Sequence, residues 1–376
     1  LESAFKQDSL QISTFYYALQ EYSKIHPMRP VLTNNWFDIG HEDKYYNSKL
    51  EVRAREFNHI TIDKNRGILK KTSDDKDKFI GEIKWYLKLP ADVEYVRPRI
   101  FDYSTSYVNP YVSMEYYAYH TVHELFLYGD LTLQQWIDIF NRIRFVCDDF
   151  KRYTVQDAGI RPALEEMYLT KTLQRFKKMK KDERFITFFE SPIVVNGKRY
   201  LSLNEIIISL EKAIPEMLYD VDTFNIIHGD LCFANIMVDS NFSFIKVIDP
   251  RGKFGTYDIY GDFRYELAKL FHSVDGKYDF IIKDLFDLDY NSEAACINYR
   301  IQDRKREFDL YKVFLSTFAT EIDSDLKKIE LIEALLFLSM IPLHGESIRH
   351  QMVMLGTGLE ILNRVIDIRI GEKKNV

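Results

Sequence analysis

A polar loop and the short predicted hairpin after it constrain the fold of this chain more than any other segment. The loop reads His228-Gly229-Asp230-Leu231-Cys232-Phe233-Ala234-Asn235. Two apolar runs follow, at residues 236–238 and 244–248, with a polar turn at residues 239–241 between them. Short apolar runs separated by turn residues predict a β-hairpin, here within otherwise helical sequence. Because a hairpin folds the chain back on itself, we expect Asp249 to return close to the loop.

Asp230, Asn235 and Asp249 are the residue types that phosphoryl transfer from ATP requires. A carboxylate must orient the attacking hydroxyl and accept its proton, and oxygen ligands must hold the Mg²⁺ ions that bridge the phosphates. We therefore predict Asp230 as the catalytic base and Asn235 and Asp249 as metal ligands. Since Asp, Asn and Gly are also common turn residues, a purely structural loop is the alternative.

The order of loop, hairpin and aspartate resembles the aminoglycoside phosphotransferase and choline kinase superfamily, whose members are relatives of the protein kinases. That superfamily carries an H-G-D-x-x-x-x-N loop, which residues 228–235 match completely. Gly229 stands where protein kinases carry Arg, and the sequence has neither an A-P-E motif nor a G-x-G-x-x-G loop, which favours the small-molecule branch. The ending Asp249-Pro250-Arg251-Gly252 departs from the usual D-F-G or D-x-D. Arg251 contacts phosphate or substrate in one interpretation and is an exposed surface residue in the other.

The resemblance covers roughly residues 50 to 370 and implies a two-lobed α+β fold. The small, β-rich N-lobe would span residues 47–118, and the large, mainly helical C-lobe residues 119–376. Sequence patterns agree at the start, where Phe57 to Ile62 and Ile68 to Thr72 predict a hairpin. Phe79, Ile83 and Tyr86 then recur at helical spacing before Pro90.

In this superfamily a strand lysine contacts the α- and β-phosphates of ATP and pairs with a glutamate on the next helix. Lys70 and Lys71 both lie on the second predicted strand, and strand alternation directs only one of them into the cleft. We favour Lys71, with Glu82 as its partner. The resemblance also places Met114 beside the adenine pocket and the backbone of Glu115 and Tyr116 in the connection that binds adenine.

The large lobe is predicted to be helical with a single break, at residues 224–248. A capping box at Thr132 and Gln135 begins one helix, and residues 163–178 form another. Asp262 is expected to cap a later helix and to bond the backbone of the catalytic loop. His344 and Glu346 are interpreted as a pair at a helix end, with the acceptor site as the alternative.

The first 46 residues form an N-terminal extension with a second, local resemblance. Its segment Trp36-Phe37-Asp38-Ile39-Gly40-His41 resembles a motif near the end of sugar-nucleotidyltransferase domains. Such domains are fused to kinase-like domains in capsule biosynthesis. The resemblance therefore implies a fused or associated nucleotidyltransferase as a partner and a surface-polysaccharide precursor as the substrate class.

Composition restricts the remaining function classes. The formal net charge of −6 and pI near 5.9 argue against a nucleic-acid binder. No apolar run reaches the ~18 residues of a membrane-spanning helix. The three cysteines have no metal-ligand spacing and fit a reducing compartment, so we expect a cytoplasmic protein.

Together these features predict a phosphotransferase that uses ATP and Mg²⁺ and acts on a hydroxyl of a small molecule, such as a sugar or an amino-alcohol. Three alternatives stay open: a kinase-shaped enzyme that transfers AMP, a non-catalytic binding module of polysaccharide biosynthesis, and an antibiotic kinase. The sequence does not identify the acceptor.

Overall fold

The computed structural model describes residues 12–26 and 58–370. The chain divides into two compact units, Leu1–Ala54 and Arg55–Val376. In the first unit the described structure is one helix, α1 (Ile12–Ile25). The segment at residues 36–41 that resembles a nucleotidyltransferase motif lies outside the described residues.

The small lobe is a four-stranded antiparallel sheet with one helix after its second strand. Its elements are β1 (Asn58–Asp63), β2 (Ile68–Ser73), α2 (Lys76–Lys88), β3 (Ile100–Ser104) and β4 (Tyr111–Glu115), and the strand order is β1-β2-β4-β3. The predicted hairpin and helix are confirmed. The Asp63 carboxylate accepts the N–H groups of Asn65 and Arg66 in the turn, and Gly67 closes that turn at φ +63°.

Helix α2 begins and ends where its sequence dictates. The Asp75 side chain accepts the N–H of Lys78 as an N-cap, and the helix stops just before Pro90, which disfavours helical backbone in the residue that precedes it. Its buried face carries polar as well as apolar side chains, namely Phe79, Glu82, Ile83, Trp85 and Tyr86. This mixed face is therefore suited to line a site as well as to fill a core.

The large lobe contains twelve helices and ten strands among the described residues. The helices are α3 (Val122–Tyr128), α4 (Leu133–Lys151), α5 (Ile160–Leu164), α6 (Lys171–Met179), α7 (Ile186–Glu190), α8 (Leu203–Leu218), α9 (Phe263–Val274), α10 (Tyr278–Ile281), α11 (Leu310–Thr317), α12 (Ala319–Ile322), α13 (Leu326–Met340) and α14 (Ile348–Val365). The strands are β5 (His120–Thr121), β6 (Thr154–Val155), β7 (Ile193–Val195), β8 (Lys198–Tyr200), β9 (Phe224–Ile226), β10 (Ile236–Val238), β11 (Ile245–Val247), β12 (Tyr260–Gly261), β13 (Phe286–Asn291) and β14 (Cys296–Ile301).

One expectation about this lobe is wrong. Its helical sequence breaks more than once, since β13 and β14 form a second hairpin that joins β7 and β8 in a four-stranded sheet. Apolar and polar residues alternate along both strands, as at Phe286, Leu288 and Tyr290, so a local strand signal was present and was missed. Only the pairing with β7, about a hundred residues earlier in the chain, has no local signal. The helix predicted over residues 163–178 is present as a continuous helical stretch, in which a π-helical turn (Glu165–Thr170) lies between α5 and α6.

An aromatic cluster anchors the central loop of the large lobe. Phe233 lies within the loop and packs edge-on against Phe126 at 5.3 Å between ring centroids. Trp136, Phe140 and Phe280 complete the cluster. Edge-to-face packing of this kind stabilises beyond the burial of area alone. The loop is therefore tied to the core by one of its own residues. Within the described part of the chain, every helix is too short or too polar to cross a membrane.

Candidate active site

The loop at residues 228–235 turns sharply at its second residue. Gly229 has φ +76°, which is costly for any residue with a side chain, and a Cβ at this position would lie 2.9 Å from the Cβ of Arg251. The preceding His228 is buried, and its Nε2 lies 3.0 Å from the carbonyl oxygen of Ile248. The N–H of Asp230 donates to Nδ1 of the same ring, so these partners require a neutral ring protonated at Nε2.

Side chains of helix α9 accept hydrogen bonds from the backbone of the loop. Oε1 of Glu266 accepts the N–H of Gly229 at 2.8 Å, and Oε2 accepts the N–H of His228. Ser273 Oγ accepts the N–H of Phe233. Burial raises the pKa of Glu266 to about 8, although the two N–H donors oppose the rise. Asp262 caps α9 as predicted, but the loop contacts expected of it are made by Glu266, one turn further along the helix.

Asp230 is fixed by two neighbours. The Asn235 amide donates to the backbone oxygen of Asp230 at 2.9 Å and to its Oδ2 at 3.2 Å. Lys269 Nζ lies 2.8 Å from Oδ1. Burial by itself would lower the pKa of Lys269, but the charge of Asp230 outweighs it and the pKa is raised. Lys269 is thus held as a cation against the carboxylate that we predict to be the base.

Sequence reasoning missed both Glu266 and Lys269. They lie three residues apart on α9 and are buried, among Leu267, Ala268 and Leu270. Charged residues are rarely fully buried unless they have partners. A mostly apolar helix that carries Arg264, Glu266 and Lys269 close together is the signal that could have identified them.

Lys71, Glu82 and Asp249 meet at a second point of the site. Lys71 Nζ lies 2.8 and 2.9 Å from the two oxygens of Glu82 and 2.7 Å from Oδ1 of Asp249. Burial opposes the charge on Lys71, but the two carboxylates raise its pKa. Burial raises the pKa of Glu82 to about 7 against the pull of Lys71. Lys70 faces the other side of the sheet, with its Nζ 4.3 Å from the centre of the Tyr111 ring.

The hairpin returns Asp249 to the loop at residues 228–235, as the sequence predicts. The N–H of Ile248 donates to the Asn235 carbonyl oxygen at 3.0 Å, which joins the end of the hairpin to the end of the loop. Asp249 has φ +57°, an uncommon conformation for a residue with a side chain, and its N–H donates to the Tyr86 hydroxyl at 3.0 Å. Its carboxylate is 43% exposed, so solvent and ligands can reach it.

Met114, Glu115 and Tyr116 lie at the end of β4, before the connection to the large lobe. Met114 is buried and pairs with Leu69 across the sheet. The N–H of Glu115 donates to the Arg99 carbonyl, and that of Tyr116 donates to the Gly67 carbonyl at 2.8 Å. These two N–H groups are therefore engaged within the lobe, and a role for this backbone in binding adenine stays a prediction.

Known proteins resemble this chain in fold and not in sequence. Neither a protein-family model nor a curated relative matches the sequence. Among solved structures, a thermostable mutant of aminoglycoside phosphotransferase APH(4)-Ia, in ternary complex with ADP and hygromycin B, has a TM-score of 0.51 at 12% identity, over 81% of this chain and 89% of that one. The chain has a protein-kinase-like fold. The gentamicin complex of APH(2")-IIa gives a TM-score of 0.46 at 13% identity, over 95% of this chain and 97% of that one.

The two lobes contribute different side chains to the candidate site. The small lobe supplies Lys71 and Glu82, and the large lobe supplies Asp230, Asn235 and Asp249. The bond from Lys71 to Asp249 joins the two lobes directly. The geometry thus brings together the five charged and amide side chains that the sequence selected, on two sides of one site.

Proposed function

We propose that this protein is a phosphotransferase that uses Mg²⁺ and ATP and acts on a hydroxyl of a small molecule. The observation that carries the proposal is the bond of Lys71 to both Glu82 and Asp249, next to a loop whose Asp230 is fixed by Lys269. A cation held between two carboxylates is suited to exchange one of them for phosphate oxygens. A fixed carboxylate nearby is suited to receive a proton.

Each residue has one role in the proposed reaction. Asp230 orients the acceptor hydroxyl and takes its proton, a contribution of ~10²–10⁴ in rate. Lys71 contacts the α- and β-phosphates, and Glu82 orients Lys71. Met114 and the backbone of Glu115 and Tyr116 surround the adenine. The remaining stabilisation comes from charge placed near the transferred phosphoryl group.

The donor atoms present fit a magnesium ion. Asn235 donates through its amide nitrogen to Asp230, which leaves its amide oxygen as a ligand. Asp249 adds a partly exposed carboxylate, and hard oxygen ligands of this kind are those that Mg²⁺ prefers. When bound by Asn235 and Asp249, the metal would neutralise charge on the nucleotide phosphates. Asp230 would keep Lys269 and Asn235 as its partners while it accepts the proton of the acceptor hydroxyl.

Further parts of the proposal concern the context of the enzyme. We assign residues 47–118 to the small lobe and 119–376 to the large one, with residues 1–46 as an extension related to a fused or associated nucleotidyltransferase. The acceptor class is a sugar, an amino-alcohol or a related precursor of a surface polysaccharide. The local resemblance at residues 36–41 and the general likeness to small-molecule kinases support these assignments.

Titration of ATP by calorimetry, with and without Mg²⁺, tests the nucleotide site. Asp249→Ala should abolish the binding that depends on Mg²⁺, because it removes the carboxylate that we assign to the metal. Asp289→Ala is the matched control, since Asp289 is an exposed acid on β13, away from the site. If Asp249→Ala bound the nucleotide with Mg²⁺ as wild type does, the metal assignment would be wrong.

The mass of the product separates phosphoryl transfer from transfer of AMP, since the acceptor gains either a phosphoryl or an adenylyl group. A wild-type chain that binds no nucleotide under any metal condition would instead be a binding module. In that case the loop would be a structural element only.

A further inference from the structure

Arg251 lies directly beside the proposed catalytic loop. Its N–H donates to the His228 carbonyl oxygen at 2.9 Å, and its Cβ lies where a side chain on Gly229 would be. The Tyr265 hydroxyl accepts from Nη1 of Arg251 at 2.6 Å, and the guanidinium is partly buried. The sequence left open whether Arg251 is a surface residue or a binding residue. The structure gives it a fixed position next to the residue that precedes Asp230.

The chain from α5 to α6 runs alongside this arginine. A Cβ on Gly255 would lie 2.5 Å from the Cβ of Ala163, so the segment after Arg251 and this helical stretch are in close contact. Tyr168 packs against Phe254 with ring centroids 6.0 Å apart and against Tyr265 at 6.4 Å. Tyr265 thus contacts both Arg251 and the helical stretch.

Two more cations follow Tyr168 on the same stretch. Lys171 comes immediately after the π-helical turn and places its Nζ 2.8 Å from the sulfur of Met167. Arg175 is four residues further on, so it lies on the same helix face. Wide helical turns of the π type occur frequently at functional sites.

These cations have few protein partners. Among the residues that the structure describes, neither Arg175 nor Arg251 forms an ion pair with a carboxylate, and Lys171 has only Glu166, at 3.6 Å. Burial and then Arg251 lower the pKa of Lys171 to about 8, against the opposing charge of Glu166. Burial and then Arg251 lower the pKa of Arg175 too. The charge of Arg251 thus acts on both Lys171 and Arg175, and all three side chains are partly removed from water.

Cations gathered in this way are destabilising unless an anion joins them. Lys253 adds a further positive charge that acts on Lys171. Glu166 is the one carboxylate paired with these cations among the described residues, and the dianion of a phosphate monoester would offset two of the remaining positive charges. Arginine also matches phosphate oxygens with paired N–H donors. These cations therefore call for an anionic ligand beside the proposed catalytic loop.

We propose that Lys171, Arg175 and Arg251 bind a phosphate group of the acceptor, so that the compound phosphorylated here is a hydroxyl compound that already carries a phosphate ester. This inference rests on the proposed function and adds the substrate class to it. A polycationic amino-sugar is the opposite chemistry and would be repelled. The transferred group goes from ATP to a free hydroxyl of the acceptor, and the resident phosphate is only held.

The first test measures anion binding without knowledge of the acceptor. Inorganic phosphate is titrated into the full chain with Mg²⁺ and saturating AMP-PNP, which occupies the nucleotide site, at constant ionic strength. We expect Arg175→Gln to weaken phosphate binding about tenfold or more, since a charge-assisted hydrogen bond is lost, and Arg175→Lys to restore part of it. Lys177→Gln, which removes an exposed cation from another face of the same helix, should bind as wild type does.

Absence of phosphate binding to wild type, or equal binding by Arg175→Gln and wild type, would overturn the inference. Failure of the proposed function looks different. In that case AMP-PNP does not bind. Phosphate binding that is weakened by Arg175→Gln would still demonstrate the anion site, independently of the nucleotide site.

A transfer assay then compares matched acceptors by release of ADP. The pairs are glucose with glucose 6-phosphate and glycerol with glycerol 3-phosphate, with hygromycin B as the cationic acceptor. Activity confined to the phosphorylated members, with an acceptor KM that rises about tenfold in Arg175→Gln while the KM for ATP stays nearly constant, supports the inference. Turnover of hygromycin B that is insensitive to Arg175→Gln contradicts it and keeps the phosphotransferase function.

Discussion

His228 shows how one residue of the loop couples its geometry to pH. Its ring is buried, donates through Nε2 to Ile248 and accepts at Nδ1 from Asp230. Burial lowers its pKa to about 4, although the charges of Asp230 and Asp249 oppose the change. Between pH 6.5 and 4 the unfolded chain therefore takes up a proton at this residue that the folded chain does not. Because the unfolded state binds more protons in that window, the free energy of unfolding falls as the pH falls.

Comparison of wild type with His228→Gln should reveal this contribution. We expect wild type to lose about 2 kcal/mol more than the variant between pH 7 and pH 5, because glutamine does not titrate. Urea unfolding at several pH values gives the two curves. If the free energies of unfolding of the two proteins changed with pH in parallel, His228 would take up its proton equally well in the folded state. The assignment of a neutral His228 ring in the folded loop would then be wrong.

At the scale of the element, helix α2 is the structure that joins the parts of the site. Glu82 reaches Lys71, the Trp85 indole N–H donates to the Ile227 carbonyl at 2.7 Å, and the Tyr86 hydroxyl accepts the N–H of Asp249. Gly81, on the same face, lets the backbone of Gly252 approach closely. One helix face thus contacts Ile227, directly before the loop at residues 228–235, and the segment after the hairpin. A displacement of α2 disturbs both.

Gly252→Ala is the substitution that should displace α2. Gly252 has φ +66°, and a Cβ there would lie 2.2 Å from the carbonyl carbon and oxygen of Gly81. We expect a loss of about 2–4 kcal/mol in unfolding free energy, the sum of backbone strain and overpacking, and weaker binding of ATP with Mg²⁺. Urea unfolding and calorimetry measure the two effects.

Gly197→Ala is the control for strain alone. Gly197 has φ +76° in the β7–β8 turn, with open space where its Cβ would be. It should cost only about 1 kcal/mol and leave nucleotide binding intact. An equal loss of stability and equal ATP affinity in the two variants would show that the contact between Gly252 and Gly81 is unimportant.

At the scale of the whole molecule, the small and large lobes share a core through α2. Trp85 is fully buried, and its ring lies near those of Phe150 and His228 of the large lobe, at 6.1 and 5.3 Å between centroids. The small-lobe sheet has no second described helix to cover it. We infer that the small lobe depends on the large lobe for its stability.

This dependence predicts that both lobes unfold in a single transition. In a variant that carries Trp36→Phe and Trp136→Phe, Trp85 is the one remaining tryptophan and reports on the contact between the lobes. We expect its fluorescence and the far-ultraviolet circular dichroism to change at the same urea concentration, because coincident probes mark two-state behaviour. An earlier change in the fluorescence would show that the small lobe separates first.

The sequence predicted the parts of the molecule that depend on local pattern. The loop, its hairpin and the return of Asp249 follow from residues that are neighbours in the chain. Strand alternation limited the choice to Lys70 or Lys71, but only the packing of α2 against the sheet decides which of them meets Glu82. The partner of Asp230 was not predictable in this way, because Lys269 reaches it through the packing of a distant helix.

The grouping of Lys171, Arg175 and Arg251 beside the loop could not be predicted from the sequence either, because it also depends on packing between distant segments. Arg251 stood in the sequence as either a surface or a binding residue, and Lys171 and Arg175 lie some eighty residues before it. Their proximity arises from the close packing at Gly255 and from the π-helical turn. Neither feature has a sequence pattern that can be recognised in a single chain.

The contact between Gly81 and Gly252 also bears on how sequences of this kind can diverge. A side chain at position 252 would meet the backbone of residues 81 and 82, so no exchange at position 81 can make room for it. In descendants that keep the helix in place, the glycine after Arg251 is therefore fixed. Those that lose it must move the helix, and they need a new way to orient Glu82. Divergence at this position is thus a marker of lineages in which the proposed nucleotide site has been rebuilt or abandoned.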